Sequence, residues 1–309
     1  MAGAGTAPTG PVVSGAPLGP AVPAGGWAVA YANGFGSCLT ATATGCAPGM
    51  ARADATLTPS SGRPSNSNEP TWYVPSQLAV DQNGLNLNCT YQPGVATGKN
   101  YACGEVTTSG AGQFHFEPGQ GQSWVFQVVA KLPPTTGEED PAFWATDPAW
   151  TWEIDCPEFW GWHTGSGGKD WLLSNGDGMG FPAVPRTNGG GSAHQESAFF
   201  WDGHTLTFGS DQALHTYTVE MVGTTFYSWL DGHAMTSGMT VGSVGSWAKL
   251  MGKLILQHSL RDPTTGNPSP WFTSGTRDFT VRSIAVYQAA ADHSANTQNP
   301  GIAPGTVIH

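Results

Sequence analysis

The sequence predicts an all-β protein, and two observations carry that prediction. Its 309 residues include 43 Gly, 24 Pro and 13 Trp but only 11% charged residues, a composition typical of turn-rich β-structure. Short runs of alternating apolar and polar residues recur along the chain, and turn residues separate them. A helical bundle is therefore not expected. One sandwich domain with loose ends is the simplest interpretation for a chain of this length.

The elements follow in order from this pattern. Residues 1–25 form an arm of Gly, Ala, Pro, Thr, Ser and Val without periodicity, residues 26–288 form the domain, and residues 289–309 form a C-terminal tail. The Asp-Gln-Asn-Gly turn at 81–84 and the Asp-Gly pair at 231–232 predict hairpins. Residues 163–191 are irregular and predict loops that border a groove. The strand-like runs are 27–31, 73–80, 85–91, 101–108, 113–116, 124–132, 214–221, 225–230, 253–258 and 279–287. The run 124–132 is apolar nearly throughout, so we expect it to be buried on both faces.

Residues 150–162, Trp-Thr-Trp-Glu-Ile-Asp-Cys-Pro-Glu-Phe-Trp-Gly-Trp, combine three carboxylates with four tryptophans. Because side chains alternate along a strand, Glu153 and Asp155 share one face and Glu158 falls on the other. An extra residue bulged out at the Cys-Pro step 156–157 would return Glu158 to the face of the first two. Proline cannot donate to a sheet and costs about 3 kcal/mol inside a helix, so Pro157 favours this bulged strand.

Three carboxylates on one face of a strand suit acid/base chemistry. They repel each other, which should raise the pKa of at least one and keep a proton in the group at neutral pH. A glycosidase uses an ionised carboxylate to attack the sugar carbon and a protonated one to supply a proton to the leaving oxygen. Asp155 lies between the two glutamates, where it shares a proton with the nucleophile and orients it. The alternative is a solvated acidic strand edge in which the tryptophans have no role.

Aromatic and histidine residues supply the candidate sugar contacts, because flat aromatic faces stack on sugar rings. Trp160 has the parity of Glu158 and should face the same cleft. The other substrate-binding candidates are Trp144, Trp162, Trp271, His163 and His258. The nine histidines show no metal-ligand spacing, and no Cys-x-x-Cys pair occurs, so we assign no metal site.

The charge balance limits the partners. Eleven basic against 22 acidic residues give a formal net charge of −11, which disfavours nucleic acid and anionic membrane surfaces and is compatible with a neutral polymer. No apolar run reaches transmembrane length, so membrane insertion is not expected. The first basic residue is Arg52, so the N-terminus lacks the positive region of a secretory signal. Either a signal has been removed, or the protein leaves its cell by another route, as a bacteriophage component released by lysis would.

Five cysteines leave one unpaired if disulfides form. Cys38 and Cys46 bracket a short loop, and Cys89 and Cys103 flank a hairpin-like segment, so these are the expected pairs. Cys156 then remains as a packing residue in the bulge, since no histidine lies beside it in the sequence.

The carboxylate motif and its surroundings resemble glycoside hydrolase family 16, the retaining endo-β-glucanases and β-galactanases. Residues 153–158 look like the bulged form of the family's Glu-x-Asp-x-x-Glu signature. Pro-Ala-Phe-Trp at 141–144 precedes the motif as in the family, residues 214–220 with 230–232 are similar to a family hairpin, and residues 281–287 look like its closing strand. The resemblance covers residues 70–288 in consistent order.

This resemblance implies a concanavalin-like jelly-roll β-sandwich of two curved antiparallel sheets, with the substrate along the concave face. It also implies that Glu153 is the nucleophile, Asp155 its helper and Glu158 the general acid/base. No cofactor is required. Calcium bound on the convex side is common in the family, but no ligands for it are assigned here.

The resulting prediction is a retaining endo-β-glycanase that cleaves a β-linked glucan or galactan by double displacement. The alternative is a non-catalytic carbohydrate-binding or structural module on the same fold, such as a phage tail or capsid protein. In both cases the partner is a polysaccharide, the location is extracellular or on a virion, and the arms attach the domain to a virion or cell envelope. The Cys-Pro step at 156–157 and the Gln-His pair at 257–258 depart from the family pattern and leave the sugar open.

Overall fold

The computed structural model describes residues 28–35, 58–59, 63–64, 70–81, 83–108, 116, 122–133, 139–147, 153–160, 178–180, 183–184, 213–222, 225–230, 233–234, 239–240, 253–260 and 272–290. These residues form nineteen β-strands and one short 3-10 turn at Pro75–Gln77. The strands are β1 Ala28–Gly34, β2 Thr58–Pro59, β3 Arg63–Pro64, β4 Thr71–Tyr73, β5 Leu78–Asp81, β6 Gly84–Ala96, β7 Lys99–Cys103, β8 Glu105–Thr107, β9 Gln122–Lys131, β10 Glu139–Thr146, β11 Glu153–Trp160, β12 Gly178–Gly180, β13 Ala183–Val184, β14 His215–Val222, β15 Thr225–Leu230, β16 His233–Ala234, β17 Met239–Thr240, β18 Lys253–Leu260 and β19 Thr276–Ala290.

The strands are arranged in two sheets. Sheet A has twelve strands in the order β16-β15-β14-β9-β19-β6-β7-β4-β3, with β1 beside β19, β17 beside β15 and β5 beside β6. Sheet B has seven strands in the order β12-β11-β10-β18-β8-β2, with β13 beside β11. Paired strands are antiparallel except β4 and β7, which run parallel. The predicted all-β jelly-roll sandwich is confirmed.

A single large hydrophobic cluster joins the two sheets. Sheet A contributes residues such as Phe126 of β9 and Val219 of β14, and sheet B contributes Phe143 of β10, Ile154 of β11 and Leu256 of β18. Each strand supplies alternate residues to this core, because side chains alternate between the two faces of a sheet. The intervening residues of each strand therefore lie on a face that points away from the core.

Gly104 lies where the chain passes from sheet A to sheet B, between β7 and β8. Its N–H donates to the carbonyl of Asn88 at 2.9 Å in sheet A, and its carbonyl accepts from the N–H of His258 at 3.1 Å in sheet B. A Cβ at this position would lie 2.8 Å from the carbonyl oxygen of Gln77 and 2.8 Å from the side chain of Leu78. Only glycine leaves room here for the 3-10 turn and β5 to pack against the crossing point.

Several sequence predictions are confirmed by these elements. The hairpin predicted at 214–230 corresponds to β14 and β15, which pair in register. In β9, Trp124 and Val125 lie on opposite faces and are 4% and 0% exposed, so this strand is buried on both faces as predicted. Cys89 and Cys103 lie opposite each other on β6 and β7 and form the predicted disulfide.

Three predicted segments differ from the structure. The run 73–80 is divided, because β4 ends at Tyr73 and a 3-10 turn begins at Pro75, which has no N–H to donate to a sheet. The run 101–108 is divided at Gly104 into strands of different sheets. The segment 163–191, predicted as loops, contains β12 and β13, which pair with β11.

The arm at 1–25, the Cys38 and Cys46 pair and residues 291–309 of the predicted tail 289–309 lie outside the described residues, so the domain boundaries stay predictions. Among the described residues, no helix has the length and apolar character needed to span a membrane.

Candidate active site

The carboxylate strand β11 pairs with β10 through a β-bulge. Between Ala142 and Trp144 β10 advances by two residues, while the partner strand advances by three, from Glu158 to Asp155. The extra residue lies in the Cys-Pro step at 156–157, so the predicted bulge is confirmed. Because cross-strand partners share a face of the sheet, the bulge brings the three carboxylate positions to one face. The pairs on that face are Thr146↔Glu153, Trp144↔Asp155 and Ala142↔Glu158.

The opposite face of the same two strands belongs to the core. Phe143, Ala145 and Ile154 are each 1% exposed and are members of the hydrophobic cluster between the sheets. Ile154 therefore anchors β11 from behind, between the positions of Glu153 and Asp155. The alternation that buries Ile154 is the same alternation that assigns its two acidic neighbours to the other face.

We call the face of sheet B that lies away from the core the carboxylate face. Its positions form rows that cross from β11 through β10 and β18 to β8. The first row is Glu158, Ala142, Gln257 and Glu105. The second row is Asp155, Trp144, Ile255 and Thr107. The third row is Glu153, Thr146 and Lys253, and the fourth is Asp140 with Ser259. Two further carboxyl residues, Glu105 and Asp140, thus join the three of the motif, and they are 1% and 0% exposed.

A line of hydrogen bonds crosses the carboxylate face from Trp144 to Asp140. The indole Nε1 of Trp144 donates to Oε1 of Gln257 at 3.1 Å. The amide Nε2 of Gln257 donates to Oγ of Ser259 at 3.4 Å. The hydroxyl of Ser259 lies 3.2 Å from Oδ2 of Asp140 and 3.3 Å from its backbone carbonyl. Trp144 is half-buried, whereas Ser259 and Asp140 are fully buried.

His258 lies on the core side of β18, and the prediction that it contacts substrate is wrong. Its side chain is 0% exposed, and Nδ1 lies 2.8 Å from the carbonyl oxygen of Leu87 in sheet A. Burial lowers the pKa of His258 to about 4, and the hydrogen bond to Leu87 opposes this shift only in part. The ring is therefore neutral at pH 7, with Nδ1 donating to the carbonyl. Because successive residues alternate, Gln257 occupies the carboxylate face and His258 does not.

The remaining predicted sugar contacts divide into two groups. Trp144 lies on the carboxylate face, directly opposite Asp155. Trp160 ends β11, and the regular pairing of residues 158–160 with β12 assigns its position to the face of Glu158, as its parity predicted. Trp162, His163 and Trp271 lie outside the described residues. The substrate-binding roles of all five residues stay predictions.

A metal site is not indicated within the described ranges. No group of three or more His, Cys, Asp or Glu side chains there is arranged to hold an ion. The calcium suggested by the family resemblance stays a prediction without assigned ligands, and no chemical step considered below uses it.

Gln257, Ser259, Asp140 and Glu105 were not identified from the sequence. A signal for the first two exists, because polar residues occupy alternate positions near the end of an otherwise apolar run at 253–260. That signal does not reveal which strands pair. Without the pairing of β18 with β10 and β8, the residues could not be assigned to the same face as the motif.

Comparison with known proteins identifies the fold. No family profile and no curated protein sequence matches the chain. The laminarinase catalytic domain from Thermotoga maritima superposes with a TM-score of 0.59 and 17% identity, over 85% of this chain and 98% of that one. For the endo-β-1,3-glucanase from Pyrococcus furiosus the TM-score is 0.58 at 17% identity, over 88% and 98%. SCLam, a non-specific endo-β-1,3(4)-glucanase from family GH16, gives 0.60 at 17% identity, over 88% and 95%. The chain therefore has the fold of the family 16 endo-glucanases.

Proposed function

We propose that this chain, which has the fold of the family 16 endo-glucanases, is a retaining endo-β-glycanase that hydrolyses a β-linked glucan or galactan. The register of β10 and β11 carries the proposal, because its bulge returns Glu158 to the face of Glu153 and Asp155. Without the extra residue, Glu158 would fall on the core face and Glu153 would have no acid/base partner. The names of two neighbours in fold, a laminarinase and an endo-β-1,3-glucanase, agree with this reaction class.

A retaining mechanism sets a distance requirement for the two glutamates. Thr146 and Ala142, the β10 partners of Glu153 and Glu158, are four residues apart. Four residues span about 13 Å of extended strand. Retaining pairs need their carboxyl groups about 5 Å apart, so the proposal requires the two glutamate side chains to close this distance. An inverting enzyme needs a wider gap to admit a water molecule between the carboxyl groups and the sugar.

The proposed reaction has two steps. In the first step, the Glu153 carboxylate attacks the anomeric carbon while Glu158 protonates the leaving oxygen. A glycosyl-enzyme ester forms, and the part of the polymer that was attached through that oxygen leaves. Glu158, now ionised, takes a proton from water, the water oxygen attacks the anomeric carbon, and the ester bond to Glu153 breaks. Asp155, between the two, accepts a hydrogen bond from the Glu153 carboxyl whenever that group carries a proton.

We also propose that the enzyme acts outside the cell that makes it. A polysaccharide of this class is too large to be taken up intact. The disulfide between Cys89 and Cys103 supports an oxidising compartment, since such bonds are rare in reducing cytosol.

The test is reducing-end release from a panel of laminarin, mixed-linkage β-glucan and β-galactan. The wild-type chain should release oligosaccharides from at least one of them, and the first product observed by proton NMR should be the β-anomer. Glu153→Gln should abolish release without changing thermal unfolding, because the amide is isosteric and cannot act as a nucleophile.

Three results would overturn the assignment. Unchanged hydrolysis in Glu153→Gln would exclude this residue as nucleophile. An α-anomer formed first would exclude retention. Polymer binding by the wild type without release of reducing ends would favour a non-catalytic carbohydrate-binding module.

A further inference from the structure

We propose that Asp140, Ser259 and Gln257 form a one-way hydrogen-bond chain that fixes the Trp144 indole as a sugar-stacking surface beside the carboxylate strand. The inference rests on the proposed function, since it concerns the same face of sheet B. It adds three residues to that face, none of which belongs to the carboxylate motif.

The direction of the chain follows from its two ends. An indole Nε1–H can only donate, and the backbone carbonyl of Asp140 at the other end can only accept. Oε1 of Gln257 must therefore face Trp144, which turns its Nε2 toward Ser259. The Ser259 oxygen accepts from that amide, so its own proton is available for Asp140. Each link has one donor and one acceptor, and no other orientation of the Gln257 amide satisfies both of its neighbours.

The sheet register explains why the chain reaches Trp144. Ser259 lies directly opposite Asp140, and Gln257 lies directly opposite Ala142, one position along the same face. Ala142 has the smallest side chain on this face of β10, so Gln257 can extend past it toward the indole. On the other side of Ala142 lies the position of Glu158. The chain thus passes beside the candidate acid/base residue without including it.

Burial separates the roles of these residues. Asp140 and Ser259 are each 0% exposed and cannot touch a polymer, so they act through Gln257 and are positioning residues. Trp144 is only half-buried and its position lies opposite Asp155, so part of its side chain is exposed on the carboxylate face. Hydrogen bonds that run in one direction along a chain polarise one another. Asp140 therefore tightens the hold on an indole two hydrogen bonds beyond its immediate partner.

A fixed indole is useful to a glycanase because sugar stacking depends on ring orientation. An aromatic platform that is already ordered avoids the entropy cost of ordering on binding. Loss of the chain should therefore weaken substrate binding and leave the chemical step nearly unchanged.

The first experiment reads the indole directly and does not require turnover. The thirteen tryptophans give indole N–H signals in a ¹H–¹⁵N spectrum, and the signal absent from Trp144→Phe belongs to Trp144. Ser259→Ala should move this signal upfield and speed its exchange with solvent, and Ser259→Thr, which keeps the hydroxyl, should restore it. If Ser259→Ala does not fold, Gln257→Met removes the same link with a side chain of similar length.

Thr218→Val is the matched control. Thr218 accepts a hydrogen bond from Nε2 of Gln127 at 3.2 Å and is buried on sheet A, so its replacement also removes a buried link between a hydroxyl and a glutamine. It should leave the Trp144 signal unchanged. A Trp144 signal that is the same in Ser259→Ala, or in Gln257→Met, as in the wild type overturns the inference.

The second experiment tests the sugar-stacking role. In the Glu153→Gln background, titration with a β-1,3-glucan pentasaccharide, a mixed-linkage tetrasaccharide and a β-galactan oligosaccharide should shift the Trp144 signal for at least one sugar. Ser259→Ala should weaken that binding about fivefold, the effect of one ordinary hydrogen bond. In the hydrolysis assay it should raise KM by a similar factor with kcat nearly unchanged.

The two proposals fail in different ways. If sugars shift the Trp144 signal but the wild type releases no reducing ends, the hydrolase assignment fails and the stacking surface stands. Sugar binding or hydrolysis that leaves the Trp144 signal unmoved, or that Ser259→Ala leaves unchanged, overturns the stacking surface whether or not the enzyme turns over.

Discussion

The carboxylate face of sheet B and the outer face of sheet A, the face of that sheet away from the core, are built by the same alternation but differ in chemistry. On both, polar residues occupy alternate positions of strands whose other residues fill the core. On sheet A these residues are Ser123, Gln127, Thr218, Glu220 and Tyr287, all 3% exposed or less. On sheet B the corresponding positions carry the carboxylate motif and the chain from Trp144 to Asp140.

The difference lies in the hydrogen-bond partners. Both carboxyl oxygens of Glu220, the hydroxyl of Ser123 and the hydroxyl of Tyr287 are buried without a hydrogen-bond partner. Burial raises the pKa of Glu220 to about 7 and that of Tyr287 to about 12, so both groups favour their neutral forms. A carboxyl group that is buried without a hydrogen-bond partner, as Glu220 is, therefore keeps its proton to a higher pH than an exposed one. On the carboxylate face, by contrast, several acidic residues lie in register with side chains that are joined by hydrogen bonds, from Trp144 through Gln257 and Ser259 to Asp140. That arrangement makes it the candidate catalytic surface.

The largest expected effect separates the two faces by activity. Glu158→Gln should reduce kcat on polysaccharide by about a thousandfold, because the leaving oxygen loses its proton donor. Glu220→Gln makes the same chemical change on the other face and should leave kcat within about twofold. Reducing-end assays on both variants measure the contrast.

A leaving-group experiment sharpens that prediction. An aryl glycoside with an acidic phenol needs little proton donation, so Glu158→Gln should retain far more activity on it than on the polymer. Equal losses on both substrates would show that Glu158 is not the general acid.

The next effect is on stability and belongs to sheet A. The pKa of Glu220 is about 7 in the folded protein against 4.5 unfolded. The folded state therefore binds the extra proton in this window, and stability that is complete below pH 4.5 is lost as the pH rises through 7. The loss is about 3 kcal/mol. Because His258 titrates in both proteins, the test is the difference between them. In urea unfolding, the free energy of unfolding of Glu220→Gln relative to that of the wild type should rise by about 3 kcal/mol from pH 4.5 to pH 8. A difference in stability between the two proteins that does not change with pH would contradict the assignment.

A smaller effect concerns how the free energy of unfolding changes with pH below pH 6.5. His258 has a lowered pKa of about 4, so the stability that it contributes is present above pH 6.5 and is lost as the pH falls through 4. Between pH 4.5 and 6.5 the contributions of Glu220 and His258 have opposite slopes and cancel. Glu220→Gln should therefore show stability that rises with pH by about 1.4 kcal/mol per pH unit in this window. The double variant with His258→Gln should lose that slope, and a slope unchanged by the second substitution would exclude His258 as its source.

The smallest effect concerns the outer face of sheet A. It tests the hydrogen bond from Gln127 of β9 to Thr218 of β14. Thr218→Val should cost about 1 kcal/mol of unfolding free energy at every pH, because it removes the partner of Gln127 without touching a titrating group. KM and kcat should not change. A raised KM would mean that the two faces are coupled, and the contrast drawn between them would fail.

The sequence was sufficient for those features that depend on near neighbours along the chain. Alternation identified β9 and the β14 and β15 hairpin, and a proline in an acidic strand indicated the bulge that unites Glu153 with Glu158. It failed where the same local pattern permits two structures. Pro75 and Gly104 each divide a run that has strand composition throughout. Pro75 begins a 3-10 turn, and the N–H and carbonyl of Gly104 bond to different sheets.

By itself the sequence determined that the protein is all-β and that three acids share a strand face. The first follows from the period of two, and the second follows from that period together with the bulge that Pro157 indicates. Only the tertiary structure decided which residues of other strands join that face. Gln257 and His258 are adjacent in the chain, yet one lies beside the carboxylates and the other bonds to Leu87 in the opposite sheet. The pairing of β18 with β10 settles this, because a shift of one residue would exchange the two. Register between distant strands is set by packing over the whole core, and no local stretch of sequence encodes it.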